Sequence, residues 1–308
     1  MAQMISIGTD AEIFAVNNIG RAIALCGKIG GTKEQPLQIK GLPQGFCVQE
    51  DNVSVEFNIP PAGSLIDWNR YIRDALREVS VMLHSMRLYF SKDAAISFGK
   101  DQLLHPNALV FGCEPDYNAW TKMENEKPQC DDPTLRTAGG HIHVGTRGNM
   151  IQCVNMMDFY LGVPSVILDN SPTSVRRRKL YGKAGAMRPK PYGFEYRVLS
   201  NFWIFTEELR KWVYDNTALA IGSEEAKLSA TLAAKIQQCI NEGDVNLAKD
   251  IVAKNHIPMP NDVAKKLAAP SWEKHAAKVM STGAGFNIDP MDLQAFLTGI
   301  GNHDTNGA

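Results

Sequence analysis

Two histidines stand two residues apart in the segment GGHIHVG, which spans 139–145. In a β-strand, His141 and His143 would point to one face of the sheet and Ile142 and Val144 to the other, because side chains alternate along a strand. A single buried histidine is more often a packed core residue than a ligand. Two neighbouring imidazoles can instead serve as metal ligands. Other segments of the sequence help to decide between a core role and a metal-binding role.

Three other predicted strands carry polar side chains on one face in the same way. The pairs that share a face are Asp10 with Glu12, Glu56 with Asn58, and Glu195 with Arg197. An antiparallel sheet often has one solvated face, but such a face is usually rich in Lys, Thr, Ser and Gln. Acidic groups packed together raise one another's pKa unless a cation lies between them. Carboxylates with imidazoles suit Mg²⁺ or Mn²⁺, so the pattern predicts a divalent-metal site.

A basic stretch, RRRKLYGKAGAMRPK, precedes the Glu195–Arg197 pair. It is predicted to be a flexible loop, and alone it would fit an exposed basic surface or a nucleic-acid contact. Beside an acidic metal site, arginine is suited to a phosphoryl group, because its planar guanidinium donates two parallel hydrogen bonds to phosphate oxygens. The glycine-rich segment GKIGGTK at 27–33 could also cover a phosphate, although it lacks the P-loop spacing.

The composition argues against several classes of protein. The chain has 308 residues, 44% apolar and 21% charged, which is typical of a globular protein with a sizeable core. Its net charge of −1 argues against a dedicated nucleic-acid or membrane partner, and its apolar runs are shorter than the roughly 18 residues of a membrane span. The first residues, MAQMISIGTD, do not resemble a signal peptide. Six cysteines without CxxC spacing predict reduced thiols in a cytoplasmic protein.

Periodicity predicts the elements that must position these residues. Strands are predicted at 4–14, 53–59, 94–98, 107–112, 140–146 and 193–200. Helices are predicted at 65–90, 150–162, 205–222, 224–241 and 243–254, and a polar loop at 114–136. Beyond about residue 205 the sequence is rich in alanine and lysine and has a helical pattern. This change predicts a catalytic domain at 1–205 and a C-terminal helical extension at 206–308.

The order of the motifs resembles one known superfamily. GTDAEIF, EDNVSVEFN, GGHIHVG, the basic stretch and the Glu195–Arg197 pair occur in the order found in the glutamine synthetase / glutamate–cysteine ligase superfamily of carboxylate–amine ligases. FGCEPDYNAW at 111–120 and GGTKEQP at 30–36 resemble its phage-encoded branch, the phiEco32-like COOH–NH2 ligases of type 2. The resemblance covers about residues 4–205. It implies an α+β fold in which helices cover the outer face of a curved, mostly antiparallel sheet like that of the glutamine synthetase catalytic domain.

The resemblance, with the basic and acidic positions noted above, also implies site residues. Metal ligands are expected to be Asp10, Glu12, Glu50, Glu56, His141 and Glu195, with Asp51 as a competitor of Glu50. The expected catalytic residues are Arg197, Glu56 and Glu195. Nucleotide contacts are expected from His143, Arg177 (with Arg176 and Arg178 as alternatives), Arg188, Lys183 and Lys33. Substrate contacts are expected from Glu114, Asp116 and Asn58. Asp10 departs from the glutamine synthetases proper, which carry Glu there.

The implied activity is that of an ATP-dependent ligase using two or more Mg²⁺ or Mn²⁺ ions. ATP phosphorylates a small-molecule or peptide carboxylate, and an amine then attacks the acyl phosphate to give an amide or peptide bond. The ammonia-site signature of glutamine synthetases is missing, so ammonia is not expected as the nucleophile. Two alternatives stay open: a phosphotransferase on the same scaffold, like the guanidine kinases, and a metal-dependent hydrolase. Homo-oligomerisation is also left open.

Overall fold

A computed structural model describes residues 6–109 and 116–260 of the chain. Its strands are β1 (Ser6–Val16), β2 (Ala22–Ile23), β3 (Leu37–Gln38), β4 (Cys47–Asp51), β5 (Ser54–Asn58), β6 (Tyr89–Ser91), β7 (Ala95–Ser97), β8 (Tyr117–Asn118), β9 (Met123–Glu124), β10 (Leu135–Thr137), β11 (Gly140–Gly145), β12 (Ala186–Lys190) and β13 (Gly193–Tyr196). Its α-helices are α1 (Leu65–Ser85), α2 (Pro106–Leu109), α3 (Met150–Met157), α4 (Val163–Leu168), α5 (Pro172–Leu180), α6 (Glu207–Gly222), α7 (Ala230–Glu242) and α8 (Val245–Asn255). Short 3₁₀ helices lie at Lys100–Gln102 and Asn201–Phe205, and a π-helical turn at Asp158–Gly162 joins α3 to α4.

Among the described residues, eleven strands form one sheet in which every pairing is antiparallel. Its main order is β3-β4-β5-β1-β11-β13-β12-β8-β9, and β2 and β6 both pair with β1. Strands β7 and β10 form a separate two-stranded sheet. The predicted α+β class with a mostly antiparallel sheet is confirmed.

The apolar face of the main sheet forms the core with the helices. Alternate residues of the central strands, such as Ile13, Phe57 and Phe194, are fully buried in the same cluster as side chains from α1, α3 and α6. Helix α1 supplies Trp68, whose indole stacks on that of Trp203 with ring centroids 5.4 Å apart. Because strand side chains alternate, burying this face leaves the polar residues on the opposite face.

The long helices agree with their predicted periodicity, although α1 ends at Ser85 and residues 89–90 belong to β6. Three other segments differ. The polar loop predicted at 114–136 contains, in its described part, the short strands β8 and β9 and the start of β10. The strand predicted at 107–112 is wrong in its described part, because Pro106–Leu109 forms α2; residues 110–112 lie outside the described residues. The predicted basic loop is also wrong, because the stretch folds into α5 and β12. Pro172 occupies the first turn of α5, where a missing N–H costs no hydrogen bond. The boundary predicted at residue 205 stays a prediction, and α6, α7 and α8 contribute to the same core cluster as the sheet.

Within residues 6–109 and 116–260, one helical segment, Met150–Leu168, is long and apolar enough to cross a membrane by length and composition, with a mean hydropathy of 1.3. In this structure 72% of that segment is buried inside the protein, as in the core helix of a globular domain. An apolar segment of this length is not evident from the sequence, because Asn155 and Asp158 interrupt its apolar runs.

Candidate active site

The polar face of the main sheet brings residues from six strands into adjacent rows. Three rows of paired residues cross it: Gln49–Glu56–Glu12, Asn58–Asp10–His141, and His143–Glu195–Arg188. Directly opposed residues on neighbouring strands have Cβ atoms about 4.5–5.5 Å apart. Antiparallel pairing therefore converts the alternation within each strand into one continuous cluster of charged side chains.

A cavity of about 510 Å³ opens on this face, within the size range of small-molecule sites. Its acidic lining residues come from β1, β4 and β5: Asp10, Glu12, Asp51 and Glu56. Its imidazoles are His141 and His143 of β11. Its cations are Lys33, from the loop before β3, Arg188 and Lys190 of β12, and Arg197, just after β13. Acids, imidazoles and cations therefore surround a single space.

Three buried or half-buried carboxylates form the first cluster. Glu12, Asp51 and Glu56 can each place a carboxylate oxygen within 4.8 Å of the other two. Glu12 accepts a hydrogen bond from the N–H of Gly139 at 2.8 Å, and Glu56 accepts one from the side-chain amide of Gln49 at 2.8 Å. These bonds orient two of the carboxylates and leave other oxygens directed toward the cavity.

The second cluster joins Asp10 to the imidazoles and to Glu195. Nε2 of His143 lies 3.0 Å from Oδ2 of Asp10, and Nδ1 of His141 lies 3.2 Å from Oδ1 of the same carboxylate. Nδ1 of His141 also lies 3.4 Å from Oε1 of Glu195. On its other side, the His143 ring meets the Tyr192 hydroxyl at 2.9 Å from Nδ1. Each ring thus has a fixed orientation on the sheet.

The Arg197 guanidinium occupies the border of the cavity. Its NH1 group forms an ion pair with Glu195 and lies 3.5 Å from Nδ1 of His141. Its Nε lies 3.5 Å from Oδ2 of Asp116. The ammonium of Lys190 reaches Oε2 of Glu195 at 3.1 Å. Acidic partners therefore hold Arg197 and Lys190 beside the metal-candidate residues.

Burial dominates the protonation behaviour of these groups. It raises the pKa of Glu12 well above the usual value, and the charge of Asp51 raises it further. Burial likewise raises the pKa of Glu56, with added repulsion from Asp10 and Asp51. Burial alone would also raise the pKa of Asp10, but the adjoining His143 and His141 together outweigh it and hold that pKa well below the usual value. Burial, and then the charge of Arg197, lower the pKa of His141 to about 3, so its imidazole is neutral near pH 7.

Part of the chain is similar to a known family of ligases. Residues 135–270 match the family model described as "Phage phiEco32-like COOH.NH2 ligase-type 2". Over these residues, which are less than half of the chain, the protein is similar to that ligase family. The matched segment contains the histidine strand β11, the basic stretch and the Glu195–Arg197 pair, and it continues through helices α6, α7 and α8. No curated protein sequence matches the chain.

Three solved structures are similar to this chain. A crystal structure of a novel glutamine synthase homolog has 12% identity and a TM-score of 0.38, over 89% of this chain and 70% of that one. A bifunctional glutathione synthetase from Pasteurella multocida has 9% identity and a TM-score of 0.40, over 90% of this chain and 52% of that one. The structure "Apo GmaS without ligand" has 10% identity and a TM-score of 0.36, over 84% of this chain and 71% of that one. This chain thus spans about half the length of the glutathione synthetase.

Most residues predicted for the ligase site lie on or beside the cavity. Those that line it are Asp10, Glu12, Lys33, Glu56, Asn58, His141, His143, Arg188 and Arg197. Glu195 is fully buried and contacts His141, Lys190 and Arg197. Asp116 contacts Arg197 from the far side and borders a separate cavity of about 40 Å³. The roles assigned to these residues stay predictions.

Three predicted residues lie elsewhere, which corrects the prediction that they face the site. Glu50 points away from the acidic cluster, and its carboxylate accepts N–H groups of residues 27–30. The Arg177 guanidinium is buried and donates to the carbonyls of Val198 and Leu199. Lys183 borders the separate small cavity, where its ammonium lies 3.4 Å from the carbonyl of Asn241. Glu114 lies outside the described residues.

The structure decides between Glu50 and its competitor Asp51, and it adds Lys190 to the residues that line the site. Asp51 takes the place in the acidic cluster predicted for Glu50, because the tight turn at Asn52–Val53 pairs Asp51 with Ser54 and so places Gln49 and Asp51 on the face of Glu56. Asn52 there has φ 54°, which asparagine tolerates in such turns. Lys190 was identifiable in principle, because it lies two residues after Arg188 on the same strand.

The two clusters fit divalent cations by their donor chemistry. Each of the two sets, Glu12–Asp51–Glu56 and Asp10–His143–Glu195, offers three ligand atoms within 4.8 Å of one another. Hard oxygen donors with a minority of imidazole nitrogen suit Mg²⁺ or Mn²⁺. Burial is the main cause of the raised pKa values of Glu12 and Glu56, and neighbouring carboxylates raise them further. A bound cation would offset both effects, because it stabilises the ionised carboxylates.

Proposed function

We propose that the chain is an ATP-dependent carboxylate–amine ligase that forms an amide or peptide bond through an acyl phosphate. The match of residues 135–270 to a ligase family supports the general activity. The observation that carries the finer proposal is the cavity in which four acids and two imidazoles meet four cations. A nucleoside triphosphate with its metal ions needs both kinds of residue. Acids and imidazoles hold the metal ions, which neutralise some phosphate oxygens, and Arg and Lys neutralise others.

In the first step, a carboxylate oxygen of the substrate attacks the γ-phosphorus of ATP. A bond from that oxygen to phosphorus forms, the bond from the γ-phosphorus to the β–γ bridging oxygen breaks, and ADP leaves. Arg197 is suited to follow the transferred group, because Glu195 and Asp116 fix its guanidinium at the cavity border. Lys190 and Arg188 on the adjacent strand supply further positive charge for phosphate oxygens.

In the second step, an amine nitrogen attacks the acyl carbon. The C–N bond forms, the bond from carbon to the phosphate oxygen breaks, inorganic phosphate leaves, and the nitrogen loses a proton. Asp116 is suited to hold the ammonium group or to accept its proton, because its carboxylate lies on the far side of Arg197 and borders the small cavity. The amine would then approach from the side opposite the nucleotide.

Bound Mg²⁺ or Mn²⁺ would neutralise phosphate charge at the two clusters, with Glu12, Asp51 and Glu56 holding one ion and Asp10, His143 and Glu195 another. The neutral His141 imidazole stands between the clusters and Arg197. Gln49 keeps Glu56 oriented for this task through its amide hydrogen bond. Substrates would be a small-molecule or peptide carboxylate and an amine, and the protein would act in the cytoplasm.

Oxygen-18 transfer tests this proposal directly. A panel of amino acids, short peptides and polyamines is offered with Mg²⁺-ATP, and each carboxylate is labelled with ¹⁸O. An acyl phosphate requires that one labelled oxygen appear in the inorganic phosphate, and that ADP release depend on both carboxylate and amine.

Other outcomes identify the alternatives. ADP release without amine, with phosphate retained on the acceptor, would indicate a phosphotransferase. Hydrolysis of a substrate without any dependence on ATP would indicate a metal-dependent hydrolase. Either result would overturn the ligase proposal.

A further inference from the structure

Glu50 forms an unusual set of contacts for a residue next to an acidic site. Its carboxylate accepts three backbone N–H groups: Gly27 at 2.7 Å, Ile29 at 2.9 Å and Gly30 at 2.7 Å. Charge-assisted hydrogen bonds of this kind are about twice as strong as neutral ones. These bonds lower the pKa of Glu50, outweighing the upward effect of its partial burial, so the carboxylate stays ionised at neutral pH. One side chain thus fixes a tight turn at 27–30.

The chain leaves this turn by crossing the edge of β4. At Gly31 the backbone has φ 75°, and a Cβ atom there would lie 2.9 Å from the carbonyl oxygen of Val48. Only glycine allows so close an approach with a positive φ. The chain then reaches the cavity side of the sheet, where a turn at Thr32–Gln35 is closed by two backbone hydrogen bonds of 3.1 Å.

This turn places two residues on the cavity. Lys33 and Pro36 both line it, and Leu37 then pairs with Val48 as β3 begins. In the loop of residues 27–36, Glu50 therefore holds the first turn, at 27–30, on one side of the sheet edge. The loop then places Lys33 at the cavity on the other side. Burial raises the pKa of the Asp51 carboxyl, and the charge of Lys33 offsets part of that rise. Burial lowers the pKa of the Lys190 ammonium, and the charge of Lys33 adds to that effect. Lys33 therefore lies among the charged residues of the site.

We propose that Glu50 is a positioning residue whose carboxylate clamps the 27–36 loop so that Lys33 is held over the cavity against the phosphates of the nucleotide. This inference rests on the proposed function, because it takes a nucleoside triphosphate as the ligand of the cavity. It assigns to Glu50 a role distinct from metal ligation, which its orientation does not support.

Nucleotide affinity in a double-mutant cycle tests this proposal. The Mg²⁺ complex of AMPPNP is titrated into wild type, Glu50→Gln, Lys33→Met and the double variant by calorimetry. Each single change is expected to weaken binding about tenfold, the effect of losing one hydrogen bond to a charged group. Because Glu50 would act through Lys33, the double variant is expected to bind no more than about twofold more weakly than either single variant.

Steady-state kinetics and metal titration separate this role from others. Glu50→Gln is expected to raise KM for ATP about tenfold while kcat changes less than about twofold. Its affinity for Mn²⁺ without nucleotide is expected to equal that of wild type. Glu34→Gln removes the same charge from the exposed turn beside Lys33 and serves as the matched control, with wild-type affinity expected. Gly31→Ala is a second variant, which should weaken nucleotide binding by disturbing the loop at its crossing.

Three results would overturn the proposal. If the losses of AMPPNP affinity multiply in the double variant, Glu50 is a general structural residue. If Glu50→Gln loses affinity for Mn²⁺, Glu50 is a metal ligand. If Glu50→Gln binds AMPPNP as tightly as wild type, Glu50 does not position Lys33. If wild type itself binds no AMPPNP, the proposed function fails instead, and this outcome is distinct from the other three.

Discussion

At the scale of single residues, the site depends on carboxylates held closer together than their charges favour. Glu12 lies directly opposite Glu56 on neighbouring strands, and Asp51 completes the cluster. Like charges placed opposite each other in a sheet are destabilising. Such a cluster costs stability in the metal-free protein and is useful only if a cation binds there.

Replacing Glu56 by Gln should therefore change stability and activity in opposite directions. The variant should unfold at a higher temperature than wild type in the absence of metal, because one buried like charge is gone. It should lose about 100-fold or more in ligase activity, because a ligand that stabilises phosphate charge is missing. Thermal melting and turnover check both. Glu124→Gln, at an exposed position, is the control. Wild-type turnover with a lowered melting temperature would identify Glu56 as structural.

Arg197→Lys tests the phosphate contact. Lysine keeps the positive charge but cannot reproduce the planar guanidinium that Glu195 and Asp116 hold from two sides. We expect kcat to fall about 10²–10³-fold, with the melting temperature little changed. Arg147→Lys, the same change at an exposed position, should leave turnover unaltered. Near-normal turnover of Arg197→Lys would remove this residue from the chemistry.

At the scale of elements, one buried carboxylate fixes the parts that border Arg197. Asp158, in the π-helical turn, accepts hydrogen bonds from the Trp120 indole at 2.6 Å, the Gly185 N–H at 2.6 Å and the Tyr196 hydroxyl at 2.8 Å. It thereby ties the hairpin β8–β9, the entrance to β12 and strand β13 to one helix. π-helical turns are frequent at functional sites.

Asp158→Ala should lower the free energy of unfolding by about 3 kcal/mol or more, because three buried donors lose their acceptor. Urea denaturation measures this change. Trp120 fluorescence should shift as well, because the indole N–H loses its partner. Asp215→Ala, which removes a carboxylate from the exposed surface of α6, should change the free energy of unfolding by less than about 0.5 kcal/mol. A loss no larger than that of the control would mean that the Asp158 contacts do not hold these elements together.

At the scale of the whole molecule, the concentration of charge in one cavity links folding to pH and to metal. The pKa values of Glu12, Asp51 and Glu56 are raised in the folded protein, so the folded state binds more protons than the unfolded state above about pH 4.5. This contribution to stability is present at lower pH and is lost as pH rises through the raised values.

The melting temperature of the metal-free protein should therefore fall as pH rises above about 4.5, and millimolar Mg²⁺ or Mn²⁺ should reverse that fall. Melting curves at several pH values, with and without metal, measure both effects. The Glu12→Gln variant should show a smaller pH dependence and a smaller metal response. A melting temperature that rises steadily with pH in the metal-free protein would contradict the assigned charge repulsion.

Nucleotide should stabilise the whole chain by mass action. At 100 times its dissociation constant, Mg²⁺-ATP should add about 2.7 kcal/mol to the free energy of unfolding, which raises the melting temperature by several degrees. His141→Ala and Lys190→Met should reduce the shift, whereas Lys249→Met on α8 should not. No shift at saturating nucleotide would count against the proposed function.

Comparison of the sequence with the fold shows which parts of the site were predictable. The face on which each strand residue lies was predictable, because the alternation of polar and apolar residues is local and each apolar face has to be buried. Alternation therefore predicts that Asp10 and Glu12 share the polar face of one strand, and that Glu56, His141 and Glu195 lie on the polar faces of three others. The long helix α1 was equally visible, since Trp68, Ile72 and Leu76 repeat with the helical period.

The positions of the arginines in the basic stretch could not be predicted from the sequence. Its arginines fit an exposed phosphate-binding loop by composition, yet Arg177 and Arg178 are buried in α5 and bind backbone carbonyls. A buried guanidinium requires partners from distant segments, and those partners become available only when the chain has folded. Arg188 and Lys190, a few residues later, extend from β12 into the cavity.

The sequence by itself thus determined which residue types share a strand face, because that depends only on the geometry of one extended chain. The tertiary structure decided which of these faces meet, in what order, and whether Glu50 or Asp51 joins the acidic cluster. That choice depends on a turn of two residues and on the pairing of β4 with β5, where a shift of one residue exchanges the two faces. Convergence of charges from six strands is a long-range property, and local patterns do not specify it.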